Sequence, residues 1–270
     1  GLMVSKWGTI DLGNVCSLLS DELHIPIKDI CEGKVNYDKE CMVHCLVNNS
    51  GFFPNSLSAG KKFAHMALED ASEIDILGSY VQHEYYVRSY TEKAKKINLN
   101  GYYAPFLWEN PWTKELKGKK VLVVHPFAET IKKQCDKREH LFDNPDVLPE
   151  FENLTVIKAV QSIAGNSSET GFKDWFEALD FMKNQMDQSD YEIALIGCGA
   201  YGMSLAAHAK RQGKIAVHMA GWTQMLFGIY GNRWIEDQPE FKKYINEYWT
   251  RPGVDERPKN AEIVEGGCYW

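Results

Sequence analysis

Short apolar runs alternate with segments of helical periodicity in the second half of the chain. After Gly118, four runs rich in β-branched residues read KKVLVVHPF, LTVIKAVQS, YEIALIGCG and KIAVHMAG. Between them, apolar positions over residues 172–186 recur at intervals of three and four, and residues 200–212 form a second helical segment that ends before Gly213. This pattern is typical of parallel βαβ units with right-handed crossovers and a buried sheet.

The segment before Gly118 has a less regular pattern. SKWGTIDLGNV indicates a strand, a turn at Gly8 and a helix over residues 11–19, while Phe63, Met66 and Ala67 mark an apolar stripe at helical spacing. Two loops are predicted from composition, a polar one over residues 48–56 and an aromatic-packed one over residues 102–112. CMVHCLV alternates like a half-buried strand.

These patterns predict an α/β protein with a Rossmann-like, mostly parallel sheet flanked by helices. Residues 1–117 are expected to be mainly helical and to pack on the sheet, and residues 118–235 to form the Rossmann-like α/β core. Residues 236–270 are expected to form a C-terminal helix, over 239–248, and a tail. No internal period is visible, so we expect one continuous domain.

The composition argues against several classes of protein. Hydrophobic residues make up 44% and charged residues 25%, the balance of a globular chain. With 30 Lys and Arg against 37 Asp and Glu, the net charge is −7, which argues against nucleic acid as a partner. The longest apolar stretch, residues 193–207, is interrupted by glycines and is shorter than the roughly 20 residues that a membrane span needs.

Seven cysteines are scattered through the chain. Secreted disulfide scaffolds are shorter and denser in cysteine, so we expect reduced thiols and a cytoplasmic location. Cys41, His44 and Cys45 could belong to a zinc site. No second cysteine pair follows at zinc spacing, so core thiols are the preferred interpretation.

The strongest local signal is GCGAYG, which follows the third apolar run where a helix is predicted to begin. We call this segment the glycine turn. Its residues Gly197, Gly199, Ala200, Tyr201 and Gly202 are candidate ligand-binding residues, because glycines allow a tight turn and unpaired N–H groups at a helix start attract phosphate. The alternative is that the glycines only allow strand and helix to pack closely. A nicotinamide dinucleotide fits less well, since no Asp or Glu closes the next strand.

Ligands of open α/β sheets bind beyond the carboxyl ends of the strands. His125 ends the first apolar run and is a candidate base or a candidate hydrogen-bond donor to phosphate. Glu129 is a candidate catalytic residue that would take a proton from an acceptor substrate. The alternative for His125 is a structural hydrogen bond to the backbone. Candidate ligand-binding residues at the other strand ends are Gln161, Ser162, Trp222, Thr223 and Gln224, with Trp222 able to stack on a base or sugar.

A further candidate region follows the first strand. Gly8 and Thr9 could lie beside a ligand, and the Asp11 carboxylate could hold Mg²⁺ or Mn²⁺ on a diphosphate or act as a base for an acceptor hydroxyl. By residue chemistry alone, the favoured alternative is that Asp11 only caps the helix, because Asp is common at that position.

Four segments, HPFAETI, KAVQSIAG, ALIGCGAYG and GGCYW, resemble a bacterial family associated with surface (capsular) polysaccharide biosynthesis. The resemblance covers most of the chain and is densest over residues 116–234. More distantly, the glycine turn and the N-terminal glycine-acid step are similar to glycosyltransferases of the GT-D fold, which use a nucleotide-sugar donor and carry an Asp-x-Glu motif. Here the motif would be Thr9-Ile10-Asp11, so that Thr replaces the first acid.

The resemblance implies a glycosyltransferase-like protein that binds a nucleotide sugar, or another phosphorylated small molecule, at the glycine turn. One alternative is an NAD-linked oxidoreductase, supported by the glycine pattern alone. The other is a non-catalytic nucleotide- or glycan-binding partner in a biosynthetic complex, which the substituted acid motif favours.

Overall fold

Seven short strands form one all-parallel sheet in the computed structural model, which describes residues 1–270. The strands are β1 (Leu2–Ser5), β2 (Ile76–Ser79), β3 (Lys95–Asn98), β4 (Lys120–His125), β5 (Asn153–Lys158), β6 (Ile193–Ile196) and β7 (Ile215–His218). Their order across the sheet is β3-β2-β1-β7-β6-β4-β5. The chain therefore fills one half of the sheet first, crosses to the other half, and returns to the centre with β7.

Ten α-helices surround the sheet, together with several short 3₁₀ turns. They are α1 (Thr9–Leu18), α2 (Ile27–Cys31), α3 (Lys39–Ser50), α4 (Leu57–Ala71), α5 (Asn100–Tyr103), α6 (Ala128–Cys135), α7 (Arg138–Leu141), α8 (Trp175–Asp187), α9 (Gly202–Arg211) and α10 (Trp222–Leu226). Three of the longer helices begin at a capping side chain. Asp38, Ser56 and Asp174 each accept a hydrogen bond from the main-chain N–H three residues later, which fixes where α3, α4 and α8 start.

The sheet separates two apolar cores. In β4, Leu122 and Val124 face one core, whereas Val121 and Val123 face the other, as the alternation of side chains along a strand requires. Helices α1, α3, α4, α8 and α9 contribute to the first core, and α5, α6, α7, α10 and the C-terminal segment contribute to the second. Because both faces are covered, the central strands consist almost entirely of apolar residues.

The winding direction of the sheet reverses between β4 and β6. From β4 the chain runs through α6 to β5 on one side, and from β6 it runs through α9 to β7 on the other side. Helices α6 and α9 pack in opposite cores, as right-handed crossovers in opposite directions demand. In doubly wound sheets such a reversal opens a crevice beyond the carboxyl ends of the two strands.

The predicted fold class is confirmed. The four apolar runs after Gly118 are β4 to β7, and the helices predicted over residues 172–186 and 200–212 are α8 and α9. Residues 1–117, expected to be mainly helical, also supply β1, β2 and β3, which pair with one another and with β7. One sheet thus spans the predicted boundary at residue 118.

Some local predictions were wrong. CMVHCLV is part of α3 and not a strand, because the Asp38 cap starts a helix whose apolar positions Val43, Leu46 and Val47 face the core at helical spacing. That helix extends to Ser50, into the predicted loop over residues 48–56, and ends at Gly51 with a left-handed φ of 76°. The predicted C-terminal helix over 239–248 is a 3₁₀ turn, Pro239–Tyr244.

None of the helices combines the length and the apolar character needed to cross a bilayer.

A buried carboxylate ties the C-terminal segment to the start of α6. Glu256 accepts hydrogen bonds from the main-chain N–H of Glu129 at 2.8 Å and of Thr130 at 3.2 Å, and from the Thr130 hydroxyl. The N–H of Gly253 donates to the same carboxylate at 3.2 Å. Two N–H groups at the start of α6 are therefore already paired with an anion from within the chain.

We expect Glu256→Ala to lower the free energy of unfolding by about 2–3 kcal/mol, because it leaves several buried donors without an acceptor. Glu256→Gln, which retains one acceptor oxygen, should have a smaller effect. Urea unfolding measures both variants, with the exposed Glu262→Ala as the matched control. Equal stabilities of Glu256→Ala and the control would contradict this role.

Candidate functional site

A cleft lies beyond the carboxyl ends of β4, β5, β6 and β7, at the place where the winding of the sheet reverses. It encloses about 620 Å³, counting the part that is open to solvent, which is within the usual range for small-molecule sites. The 19 residues that line it are Asn49, Ser50, Gly51, His125, Pro126, Phe127, Val160, Gln161, Ser162, Ile163, Gly197, Cys198, Gly199, Tyr201, Ala220, Gly221, Gln224, Tyr269 and Trp270. None of them is Asp, Glu, Lys or Arg, so the walls carry no charged side chain.

Main-chain donors from two strand ends line this cleft. The N–H groups of Gln161, Ser162 and Ile163 after β5, and those of Cys198 and Gly199 after β6, donate no hydrogen bond within the chain. Helix α9 begins at Gly202, so its positive end is close to this second group. Unpaired N–H groups and a helix start are the features by which proteins bind phosphate.

The glycine turn also has a packing role. A Cβ on Gly199, which has a φ of 59°, would lie 2.5 Å from the carbonyl oxygen of Ser50, and one on Gly197 would lie 2.4 Å from that of Ala220. A Cβ on Gly202 would lie 2.3 Å from Nε2 of His218. All three positions therefore require glycine for close packing, and replacing them would disturb the fold as well as any bound ligand.

His125 contributes a neutral imidazole to the cleft. The N–H of Phe127 donates to its Nδ1 at 3.0 Å, so the neutral ring carries its proton on Nε2. Burial lowers the pKa of His125 to about 3. At neutral pH this residue can donate a hydrogen bond to a ligand, but its basicity is too low for efficient proton abstraction.

Tyr201 and Ser162 join the glycine turn to the end of β5. The ring of Tyr201 stacks on Trp175 with centroids 5.0 Å apart, and its hydroxyl lies 3.2 Å from Oγ of Ser162. Ser162 in turn donates to the carbonyl oxygen of Gly51. These contacts fix the two loops that carry the unpaired N–H groups. The Gln161 side chain, in contrast, makes no hydrogen bond within the chain and is available to a ligand.

Residues far apart in the sequence complete the cleft. Asn49, Ser50 and Gly51 come from the end of α3, and Tyr269 and Trp270 from the C-terminal segment. The Gln224 side chain was predicted to bind ligand. It donates a hydrogen bond of 3.2 Å to the carbonyl oxygen of Tyr269 and so fixes the position of the C-terminal segment. No sequence pattern predicted that these residues would line the cleft. The only signal for the last two was the GGCYW segment of the resemblance.

Several predicted residues lie outside the cleft. Glu129 is exposed and paired with Lys132, Trp222 is buried against Phe241 and other aromatic rings, and Thr223 is buried with its hydroxyl bonded to Ala220. Thr9 is exposed and shares a hydrogen bond with Tyr80.

The other predicted residues lie in or near two cavities. Those that line the cleft are Gln161, Ser162, Gly197, Gly199, Tyr201, Gln224 and His125, and those that line a smaller cavity behind it are Gly8, Ala200 and Asp11. Gly202 lines neither and packs on His218.

This smaller cavity, which we call the inner chamber, shares Gly199 with the cleft. Lys6 and Asp11 line it from the end of β1 and the start of α1, and His218 from β7. Asp11 is not the N-cap of α1, a position that Gly8 occupies, and a Cβ on Gly8 would lie 2.0 Å from the Asp11 carboxylate. The capping role favoured from residue chemistry is therefore absent, and Gly8 makes room for the carboxylate.

Mg²⁺ or Mn²⁺ does not fit these residues. Asp11 brings a single carboxylate, the predicted partner Thr9 is turned to Tyr80, and Lys6 lines the same chamber. An ammonium beside the carboxylate opposes a second cation. The structure contains no group of three or more His, Cys, Asp and Glu side chains placed to hold a metal.

Comparisons of the chain with models of protein families, with curated proteins and with solved structures gave no match. The class is therefore defined by the fold and the site alone. The chain is a doubly wound, all-parallel α/β protein with an uncharged cleft at its topological switch point.

The two buried histidines predict a specific pH dependence of stability. Burial lowers the pKa of both His125 and His218 to about 3, whereas in the unfolded chain imidazole titrates near 6.5. Below pH 6.5 the unfolded state binds more protons, so the free energy of unfolding should fall as the pH is lowered toward 3. Each histidine should account for about 1–2 kcal/mol between pH 7 and pH 5.

Urea unfolding at pH 7, 6 and 5 tests this expectation. His125→Asn keeps an acceptor for the N–H of Phe127 and should lose less stability on acidification than the wild type. The exposed His24→Asn is the control and should behave like the wild type. Parallel pH profiles for His125→Asn and the wild type would show that the buried imidazole is not kept neutral.

Proposed function

We propose that the chain binds a phosphorylated small molecule, in the first place a nucleotide sugar, in the cleft and is glycosyltransferase-like. The observation that carries the proposal is the set of five unpaired main-chain N–H groups, from Gln161, Ser162, Ile163, Cys198 and Gly199, at two neighbouring strand ends. The sugar-transfer part rests on the resemblance to polysaccharide-biosynthesis proteins described above.

The uncharged walls support an anionic ligand. Because no Asp or Glu side chain lines the cleft, no acidic side chain repels phosphate there, and each N–H dipole acts at a low local dielectric. The start of α6 is not available as a second phosphate site, since Glu256 already occupies it. The start of α9 and the end of β5 therefore bind the phosphate groups in this proposal. Gln161 and the Nε2–H of His125 supply side-chain hydrogen bonds.

A nicotinamide dinucleotide is less compatible with this arrangement. The acid that holds the ribose lies about 20 residues after the glycine turn in dinucleotide-binding proteins. Here that region is the end of β7, at His218, where there is no carboxylate. The Tyr269 ring also packs against Gly221 just beyond this strand, where a Cβ would lie 2.4 Å from it.

A non-catalytic binding protein is the second candidate. The cleft has no Asp or Glu side chain, and its one histidine is kept neutral by burial, which lowers the pKa of that residue to about 3. Neither proton abstraction nor metal assistance has an evident group in the cleft itself. Incubation with UDP-glucose and GDP-mannose separates the candidates, because release of UDP or GDP requires turnover and binding alone does not.

We expect UDP or GDP to bind in calorimetry with the same affinity in EDTA and in MgCl₂, since the donors are main-chain N–H groups. Gln161→Glu should weaken this binding at least tenfold, equivalent to about 1.4 kcal/mol, because it introduces a carboxylate into the uncharged cleft. The exposed Gln82→Glu makes the same charge change elsewhere and should bind normally.

Two results would contradict the proposal. One is the absence of UDP and GDP binding at millimolar concentrations. The other is an unchanged affinity in Gln161→Glu, which would place the nucleotide outside the cleft. Thermal melting of both variants checks that the fold is retained.

A further inference from the structure

The inner chamber has room for about one oxygen atom. Counted with the part open to solvent, as for the cleft, it encloses about 310 Å³, but the space that the centre of a water molecule can occupy is about 10 Å³, close to the minimum that holds a single water molecule. Its walls come from the end of β1, the start of α1, the end of β7 and the glycine turn. It therefore joins the β1 half of the sheet to the turn that also lines the cleft.

Three buried polar atoms of residues in the walls have no partner. Nε1 of Trp7, Oδ1 of Asp11 and Nε2 of His218 are inaccessible to solvent and make no hydrogen bond, although Nδ1 of His218 lies 3.0 Å from Oγ of Ser5. His218 is 4% exposed, so its free nitrogen is not satisfied from the surface. Buried polar atoms are almost always hydrogen-bonded in native proteins, and three orphaned atoms around one cavity indicate a missing partner.

Lys6, which lines the same chamber, has an ammonium group that can donate further hydrogen bonds. It is 9% exposed, and its Nζ donates a hydrogen bond of 3.4 Å to the hydroxyl of Tyr80 and lies near that of Tyr103. No carboxylate lies within ion-pair distance of the ammonium, although Asp11 lines the same cavity. Burial lowers the pKa of Lys6, but the hydroxyls of Tyr103 and Tyr80 and the Asp11 carboxylate outweigh it and raise the pKa overall. The ammonium is therefore the stable form.

The chemistry of these groups selects the occupant. An ammonium only donates hydrogen bonds, and a carboxylate only accepts them. A group that bridges Lys6 and Asp11 must accept from one and donate to the other, as a hydroxyl does. An anion would be repelled by Asp11 and a cation by Lys6. The space leaves room for a hydroxyl oxygen and little more.

We propose that the inner chamber binds a single hydroxyl group, of water or of an alcohol, which accepts from Lys6 and donates to Asp11. His218 Nε2 is its third partner. The hydroxyl site itself does not depend on the proposed function. Only its position relative to the phosphorylated ligand, on the other side of Gly199, rests on that function. Lys6 and His218 then act as positioning residues.

A crystal structure of the wild-type protein at high resolution, with one crystal soaked in methanol, tests the chamber directly. We expect an oxygen atom within about 3.2 Å of both Lys6 Nζ and Asp11 Oδ1. An isolated oxygen in both crystals identifies water as the occupant, and an attached carbon after the soak identifies an alcohol site. An empty chamber, or a direct contact between Lys6 and Asp11 that closes it, would overturn the proposal.

A variant pair shows whether Lys6 holds the occupant. Lys6→Met removes the donor and should lose the oxygen, whereas the control Lys34→Met removes an exposed lysine and should retain it. An oxygen that persists in Lys6→Met would assign it to Asp11 and His218 alone and contradict the bridging role. UDP binding to the wild-type protein is measured separately, so its absence beside an occupied chamber refutes the proposed function and not the chamber.

Discussion

The site depends on one constraint, the pairing of main-chain groups in a sheet covered on both faces. Every strand runs parallel, so all seven end at the same edge, and the loops that follow must find other partners for their N–H groups. After β4 the partner is internal, because Glu256 satisfies the start of α6. After β5 and β6 the N–H groups remain unpaired and line the cleft. The contrast between these neighbouring strand ends is what distinguishes a candidate ligand site from a structural cap.

Charge is divided between the two cavities on either side of Gly199. The cleft has only uncharged walls, whereas the inner chamber holds an ammonium and a carboxylate. The imidazoles of His125 and His218, one beside each cavity, are kept neutral because burial lowers the pKa of both to about 3. This separation suits a phosphorylated ligand that main-chain dipoles bind in the cleft, next to a hydroxyl group in the inner chamber. In the proposed function, phosphate binds through fixed dipoles and needs no divalent cation.

The elements that could be predicted from the sequence are those whose burial produces a regular pattern of apolar residues. Strands β4, β6 and β7 appear as apolar runs because both of their faces are covered, and α8 shows helical periodicity because one face is buried. The edge strand β5 is only partly buried, and its run is recognisable from β-branched residues. The edge strand β3, KKIN, is mostly exposed and carries no such signal. CMVHCLV is too short for its period to separate a strand from a helix, and only the Asp38 cap decides between them.

The site was predictable only where it is local in sequence. The glycine turn, His125, Gln161 and Ser162 follow strands that could be recognised, so their position in the cleft was expected. Lys6 became a candidate only once the structure showed it buried beneath Tyr80, because nothing in its neighbours signals burial. The same holds for Asn49 and Tyr269, which reach the cleft through tertiary packing.

Main-chain amide shifts in a UDP titration of ¹⁵N-labelled protein show whether the unpaired N–H groups bind the phosphates. We expect the largest changes at the N–H groups of residues 161–163 and 198–199, the donors left unpaired at the ends of β5 and β6. Small changes are expected at Glu129 and Thr130, whose N–H groups are already bound to Glu256. Perturbations centred on α6, or spread over the surface with none at the two strand ends, would contradict phosphate binding by these N–H groups.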